Sequence, residues 1–197
     1  AVTKMANAIA AIGHHKWPLH YTDTTRQLME DVSRLMGVPF DETNPDPQLE
    51  AIGSAVAFVG STLSNSSNPT GLTSGYKHNV IPGKAQATVD ARPLPGQDEE
   101  LIDTIRDLAG ESVHVEYEHA RQAIEAPFSG ALVDAMISAI AQEDPDAVVL
   151  PFMMSGGTDN NALSRLGIAG YGFIPLQLPE DLAFPELFHG IDERMPI

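Results

Sequence analysis

The chain has 197 residues, 43% of them hydrophobic, which suffices for one core, or for one small domain with part of another. Its 27 acidic residues against 11 lysines and arginines give a formal net charge of -16, which argues against nucleic acid or an anionic membrane as a partner. The lack of cysteine excludes disulfides and thiolate metal sites, and no apolar run is long enough to span a membrane. We expect a soluble, cytoplasmic protein, or a secreted one whose leader has been removed.

The chain begins with a helical region. Apolar residues at three- and four-residue spacing predict helices over residues 1–12, 24–36 and 47–63. Gly37 is expected to end the second helix, and Asp46 to cap the third, with Pro47 at its first helical position. No capping residue precedes the first helix, so we expect its natural start upstream of Ala1. Residues 64–69 are interpreted as a polar loop.

A hairpin is predicted next, from strands over residues 70–80 and 85–92 joined by the Pro82-Gly83 turn. On the second strand small apolar residues alternate with polar ones, so one face should lie under helices and the other should be open to solvent or a cleft. A helix over 97–109 and a strand over 113–117 follow.

An α/β pattern begins near residue 124. The predicted elements are a helix over 130–142, a strand over 148–154, a helix over 158–166 and a strand over 169–175. The run 148–154 is continuously apolar, which is typical of a buried parallel strand.

The turn Ser-Gly-Gly-Thr-Asp-Asn at residues 155–160 joins the predicted buried strand to a helix, which is where ligands bind in α/β sheets. Backbone N–H groups at this helix start could bind an anionic or carbonyl oxygen. A structural interpretation is equally open, in which the glycines supply positive φ and Thr158 or Asp159 caps the helix.

His189 is a candidate metal ligand, because Gly190 follows it and the carboxylates of Asp192 and Glu193 come close behind. The alternative is a surface histidine in a turn. Zinc needs at least three protein ligands, and the signatures H-E-x-x-H and His-x-Asp are both absent from the sequence. The histidines near the end of the first helix are interpreted as residues of a solvated loop; they are His14, His15 and His20.

Asn79 and Arg92 flank the predicted hairpin turn and its second strand. An amide and a guanidinium are a suitable pair for binding a carboxylate. The alternative is a surface ion pair of Arg92 with Asp90 or a glutamate, which would contribute little to stability.

Four motifs in order resemble one family. Asn-Val-Ile-Pro-Gly-Lys-Ala at 79–85, continuing to Val-Asp-Ala-Arg at 89–92, resembles the lid-domain hairpin of the dinuclear zinc metallopeptidases. That family includes aminoacylase, succinyl-diaminopimelate desuccinylase and bacterial glutamate carboxypeptidase. Residues 155–159, 167–173 and 189–193 resemble the C-terminal half of its catalytic domain.

The resemblance implies a fold in two parts. Residues 1–123 would form an α+β lid or dimerisation domain, ferredoxin-like but incomplete, with a helical insertion at about 14–66. Residues 124–197 would be the C-terminal portion of an α/β zinc-peptidase catalytic domain. The first strand of such a lid would be central and is missing here. We therefore expect open strand edges that pair with another chain, or a gap filled by rearrangement.

The resemblance also implies roles for individual residues. His189 would bind one of two zinc ions, for which cobalt or manganese could substitute, and Asp192 and Glu193 would at most support it. The family hydrolyses amide bonds of peptides or N-acyl amino acids, with a metal-bridging water as nucleophile and a glutamate as general base. The substrate-binding residues would be Asn79, Arg92, Gly156, Gly157 and Thr158.

The first half of that catalytic domain, which carries most metal ligands and the general base, has no counterpart in these residues. We therefore expect a fragment of a longer, homodimeric hydrolase that is inactive alone and binds zinc weakly. The alternative is a non-catalytic dimerisation or carboxylate-binding module, in which Asn79 and Arg92 bind acidic ligands and His189 has no role.

Overall fold

The computed structural model describes residues 1–173, 175–179, 182, 184–187, 190–191 and 193–194. The helices are α1 (Val2–His14), α2 (Asp23–Met36), α3 (Asp46–Ala51), α4 (Val56–Val59), α5 (Asp98–Ala109), α6 (Ala131–Glu143) and α7 (Asn160–Ser164). The strands are β1 (Ser66–Ser74) and β2 (Ala85–Arg92), and short 3-10 turns cover Gly53–Ala55, Gly60–Thr62 and Phe184–Leu187. Among the described residues, no helix has the length and apolarity that a membrane crossing requires.

The chain divides into two compact units. The first consists of Ala1–His20 and Ser64–Ile124, and the second of Tyr21–Leu63 and Glu125–Ile197. The fold is thus a small α+β arrangement with a two-stranded sheet. The assignment of residues 1–123 to a lid and 124–197 to a catalytic portion stays a prediction, because compactness assigns neither role.

The first unit is built on the antiparallel pair of β1 and β2, whose register runs from Ser74 opposite Ala85 to Ser66 opposite Arg92. The second predicted strand is confirmed at both ends. The first was wrong in its bounds, because β1 begins inside the predicted polar loop and ends at Ser74. Pairing with β2 overrides the weak strand propensity of this serine- and asparagine-rich segment, and a register irregularity between Pro69 and Gly71 accommodates the proline.

The core of the first unit lies between the sheet and two helices. Ala8 and Ile12 of α1 pack with buried residues of α5, and Val89 and Ala91 of β2 pack against them. The buried residues of α5 are Leu101, Ile105 and Ala109. The prediction that the small apolar face of β2 lies under helices is therefore confirmed.

The predicted strand over 113–117 is wrong, because these residues form no ladder. They nevertheless keep the burial pattern of a strand. Val113 and Val115 are half-buried against the first core, whereas His114 and Glu116 are exposed. The alternation in the sequence thus predicted which side chains face inward, but β2 pairs only with β1 among the described residues.

The second unit begins with α2, which confirms the predicted helix and its end at Gly37, where φ is 68°. Thr22 and Thr25 form a capping box at its start, and the Thr25 backbone N–H donates to the Thr22 hydroxyl over 3.2 Å. Its buried face packs against residues of the next helical segment. This second core consists of Leu28, Met29, Val32, Val59 and Leu63.

The single helix predicted over 47–63 is wrong, because the segment breaks into α3, α4 and the two 3-10 turns. Gly53 interrupts it with a left-handed φ of 57°, which glycine adopts without steric cost. Asp46 is not the cap, since the helix begins there after Pro45 and no side chain caps it.

Strands were predicted over 148–154 and 169–175, but the described residues of these two segments form none. Residue 174 lies outside the described residues. Val148, Phe152 and Met154 are 59%, 48% and 51% exposed, so this apolar run is not buried as expected. A parallel strand needs hydrogen-bonded neighbours, and the described part of the chain supplies none beside it. The helix between these segments is shorter than predicted.

The helix α6 is confirmed within one residue at each end. Val133 is its buried residue, at 2% exposure, whereas its neighbour Leu132 is 55% exposed.

Gln48 is fully buried in α3, and neither its amide nitrogen nor its amide oxygen has a hydrogen-bond partner among the described residues. A buried polar group without partners costs about 1–3 kcal/mol. We expect Gln48→Met to raise the free energy of unfolding by about 1 kcal/mol or more, measured by urea denaturation. Gln142→Met, at an exposed position of α6, is the control and should change stability by less than about 0.5 kcal/mol. An unchanged or lowered stability of Gln48→Met would show that this amide has a partner.

Candidate functional site

Arg92 ends β2 and is held by a neighbour on the same face of the strand. Its Nε and Nη2 both donate to Asp90 Oδ2, over 3.1 and 2.8 Å. This hydrogen bonding raises the pKa of the Arg92 guanidinium, and the charge of Asp90 adds to the effect. The two side chains are 53% and 42% exposed, so the pair is a surface ion pair of small energetic value. An incoming carboxylate would have to compete with Asp90 for the guanidinium.

Asn79 lies in the connection between β1 and β2 and is exposed. That connection leaves the hairpin at the pair of Ser74 and Ala85, whereas Arg92 lies opposite Ser66 at the other end. The length of β2, about 23 Å at roughly 3.3 Å per residue, therefore separates Arg92 from the connection. The hairpin does not bring the two candidate carboxylate-binding residues together.

The predicted glycine turn lies in the second unit, where Gly156, Gly157 and Thr158 are all exposed. Gly156 does not adopt positive φ, so the interpretation that it supplies a left-handed turn was wrong. The N-cap of α7 is Asp159, without a side-chain hydrogen bond, and the Thr158 hydroxyl accepts from the Asn160 backbone N–H over 3.3 Å. That N–H is therefore already engaged, and α7 has only five residues.

A contact that sequence reasoning missed joins the glycine turn to the next motif. A Cβ built on Gly170 would collide with the Asn160 side chain, whose Cβ lies 3.2 Å away and whose amide lies closer. An alanine at position 170 would require the Asn160 side chain to move. The structure thus brings together residues 155–160 and 167–173, two of the four motifs. The spacing of small residues in 167–173 was the one signal in the sequence for such a close approach.

The predicted metal ligand His189 lies outside the described residues, as does Asp192, and Glu193 is exposed. Among the residues that are described, no group of three or more histidines, aspartates or glutamates is arranged to hold a metal ion. The described residues therefore do not fit a dinuclear zinc centre by themselves, and no catalytic step is assigned to them.

Residues 1–116 match the M20 family model described as a peptidase dimerisation domain. This match covers the whole sheet, α1 and α5, and it extends over more than half of the chain. The chain belongs to the M20 peptidase family, which confirms the family predicted from the four motifs.

A curated relative, the probable carboxypeptidase S-like 2 of Dictyostelium discoideum, is 31% identical over 208 aligned residues. The alignment covers 100% of this chain and 39% of that protein, so the chain spans about two fifths of the relative's length. A structural comparison also matches an M20 family metallo-carboxypeptidase from Sulfolobus solfataricus, with a TM-score of 0.48 and 16% identity over 84% of this chain and 48% of the other. That likeness is too low to assign roles to residues.

The competition between Asp90 and a ligand carboxylate can be tested by removing the charge of Asp90. We expect Asp90→Asn to strengthen binding of N-acetylglutamate by up to about fivefold, since an exposed ion pair is worth about 0.2–1 kcal/mol. Arg92→Met should abolish the binding, measured by NMR titration. Asp103→Asn, which removes the similar exposed pair of Asp103 with Arg106, is the control and should leave the affinity unchanged. Equal affinities in Asp90→Asn and Arg92→Met would contradict a role for this guanidinium.

The close approach at Gly170 predicts a specific destabilisation. We expect Gly170→Ala to lower the free energy of unfolding by about 1–3 kcal/mol, because the new methyl group overpacks against Asn160. Gly172→Ala is the matched control, since a Cβ there meets nothing within 4 Å. Chemical denaturation should also show that Asn160→Ala relieves the defect in the double variant. If both glycine variants lose stability equally, the contact is not the cause.

Proposed function

We propose that these 197 residues are part of a metal-dependent hydrolase of amide bonds in peptides or N-acyl amino acids. The observation that supports this most strongly is the identity of 31% to a probable carboxypeptidase that extends over all 197 residues. The family match alone would account only for residues 1–116. An aminoacylase-like preference and a cytoplasmic location remain part of the proposal.

Two copies associate through residues 1–116 in this proposal. The matched family model is described as a dimerisation domain, and it covers the unit whose sheet has two unpaired outer edges among the described residues. Unpaired strand edges favour pairing with a further strand. The same observation favours a second candidate function, a non-catalytic dimerisation or carboxylate-binding module that keeps Arg92 and Asn79 but performs no chemistry.

Arg92 is proposed to bind the acidic group of the substrate. Asn79, Gly156, Gly157 and Thr158 stay proposed substrate-binding residues. Support for Arg92 comes from its exposure and its planar donor group, which suits a carboxylate. Since Asp90 holds that guanidinium, substrate binding would exchange one carboxylate partner for another.

The metal part of the proposal depends on His189 as one ligand of a two-zinc site, where bound zinc would supply Lewis-acid chemistry for amide hydrolysis. Because one imidazole does not hold two metal ions, the 197 residues alone are proposed to bind zinc weakly and to be inactive.

Zinc titration calorimetry and hydrolysis assays test this proposal together. We expect no release of amino acid from N-acetylmethionine or glycyl-leucine in the presence of zinc chloride, and weak zinc binding that His189→Ala weakens further. His78→Ala, which removes an exposed histidine from the hairpin connection, is the control. Tight stoichiometric zinc binding by the 197 residues would contradict the weak-binding part of the proposal. Zinc binding that is insensitive to His189→Ala would favour the non-catalytic module.

A further inference from the structure

Asn68 lies directly opposite Asp90 in the antiparallel ladder, close to the end of the hairpin that carries Arg92. The neighbouring pair fixes its direction, because Ser67 is buried opposite Ala91, which packs on the core, whereas Asn68 is exposed. Asn68 is therefore on the same polar face of the sheet as Asp90 and Arg92. Side chains directly opposite each other have Cβ atoms about 4.5–5.5 Å apart, so the Asn68 amide is within reach of the Asp90 carboxylate.

One oxygen of the Asp90 carboxylate accepts no hydrogen bond from the described residues. Nε and Nη2 of Arg92 both donate to Oδ2, and no described residue donates to Oδ1. The Asn68 side chain likewise makes no hydrogen bond with a described residue. An amide with two N–H donors therefore lies opposite a carboxylate that has an open acceptor.

Binding of a ligand carboxylate to Arg92 has an electrostatic cost at Asp90. The ligand would take over the guanidinium, and the Asp90 carboxylate would lose its cation while a second negative charge arrives beside it. Adjacent carboxylates repel each other, and this repulsion weakens the binding of the ligand. A hydrogen-bond donor that engages Asp90 when the ligand arrives would offset part of the cost.

We propose that Asn68 is a positioning residue of the carboxylate site, whose amide donates to Asp90 when the acidic group of the substrate replaces Asp90 on Arg92. This inference rests on the proposed substrate-binding role of Arg92. Asn68 acts through Asp90 and does not touch the ligand. The exchange keeps each charged group hydrogen-bonded, since the guanidinium holds the ligand carboxylate and the Asn68 amide holds Asp90.

Binding of N-acetylglutamate to the 197-residue chain, measured by NMR titration, tests this role. We expect Asn68→Leu, which keeps the size of the side chain and removes its donors, to weaken binding about threefold to tenfold. Asn68→Gln keeps the amide donors and should retain most of the affinity. Gln86→Leu is the matched control, since Gln86 is an exposed amide on the same face of β2, opposite Thr73. It should change the affinity less than about twofold.

A double-mutant cycle with Asp90→Asn separates positioning from direct contact with the ligand. Because Asn68 acts through Asp90, Asn68→Leu should no longer weaken binding once Asp90→Asn is present. A merely structural effect of Asn68→Leu would persist in the double variant. On the unmodified chain, N-acetylglutamate should move a side-chain amide proton of Asn68 downfield, and Asp90→Asn should abolish that shift.

Two results would overturn the role of Asn68 and leave that of Arg92 intact. One is an unchanged affinity in Asn68→Leu when Arg92→Met abolishes binding. The other is a loss of affinity that is equally large with and without Asp90→Asn, which would show that Asn68 does not act through Asp90. If the unmodified chain binds no N-acetylglutamate, the proposed role of Arg92 fails, and the role of Asn68 fails with it.

Discussion

The ladder between β1 and β2 is the constraint on which the first unit depends. Its register fixes the alternation of β2, so Val89 and Ala91 pack on α1 and α5 while Asp90 and Arg92 point away from that core. A shift of one residue would exchange the two faces and bury the ion pair. The same ladder therefore sets both the hydrophobic core of the unit and the accessibility of its best candidate for binding a carboxylate.

Four of the longer helices were predictable from the sequence and most strands were not, for one physical reason. Helical hydrogen bonds join residues four apart, so local periodicity sufficed to predict α1, α2, α5 and α6 within two residues. A strand depends on a partner that is remote in the sequence. Residues 85–92 have one, whereas the equally strand-like residues 113–117 and 148–154 have none among the described residues.

In the candidate site, too, features set by local pattern were predictable and features set by tertiary structure were not. The two-residue period of a strand puts Arg92 and Asp90 on one face, where they form an ion pair. This pair was one of the two interpretations of Arg92 that the sequence left open. The fit of Asn160 against Gly170 requires a tertiary approach of two loops, which no local pattern encodes. For His189, the resemblance to a family is the sole support, because that residue lies outside the described part of the chain.

The second unit exposes apolar surface where a predicted strand lacks a neighbour, in the run that contains Val148, Phe152 and Met154. Burying such surface stabilises by roughly 25 cal/mol per Å² of apolar area. A ligand that binds only the folded form raises the free energy of unfolding, and the increase grows with the logarithm of the ligand concentration. Strand pairing and folding are therefore thermodynamically linked in the first unit. Its stability depends on what pairs with the outer edges of the described sheet as well as on its own core.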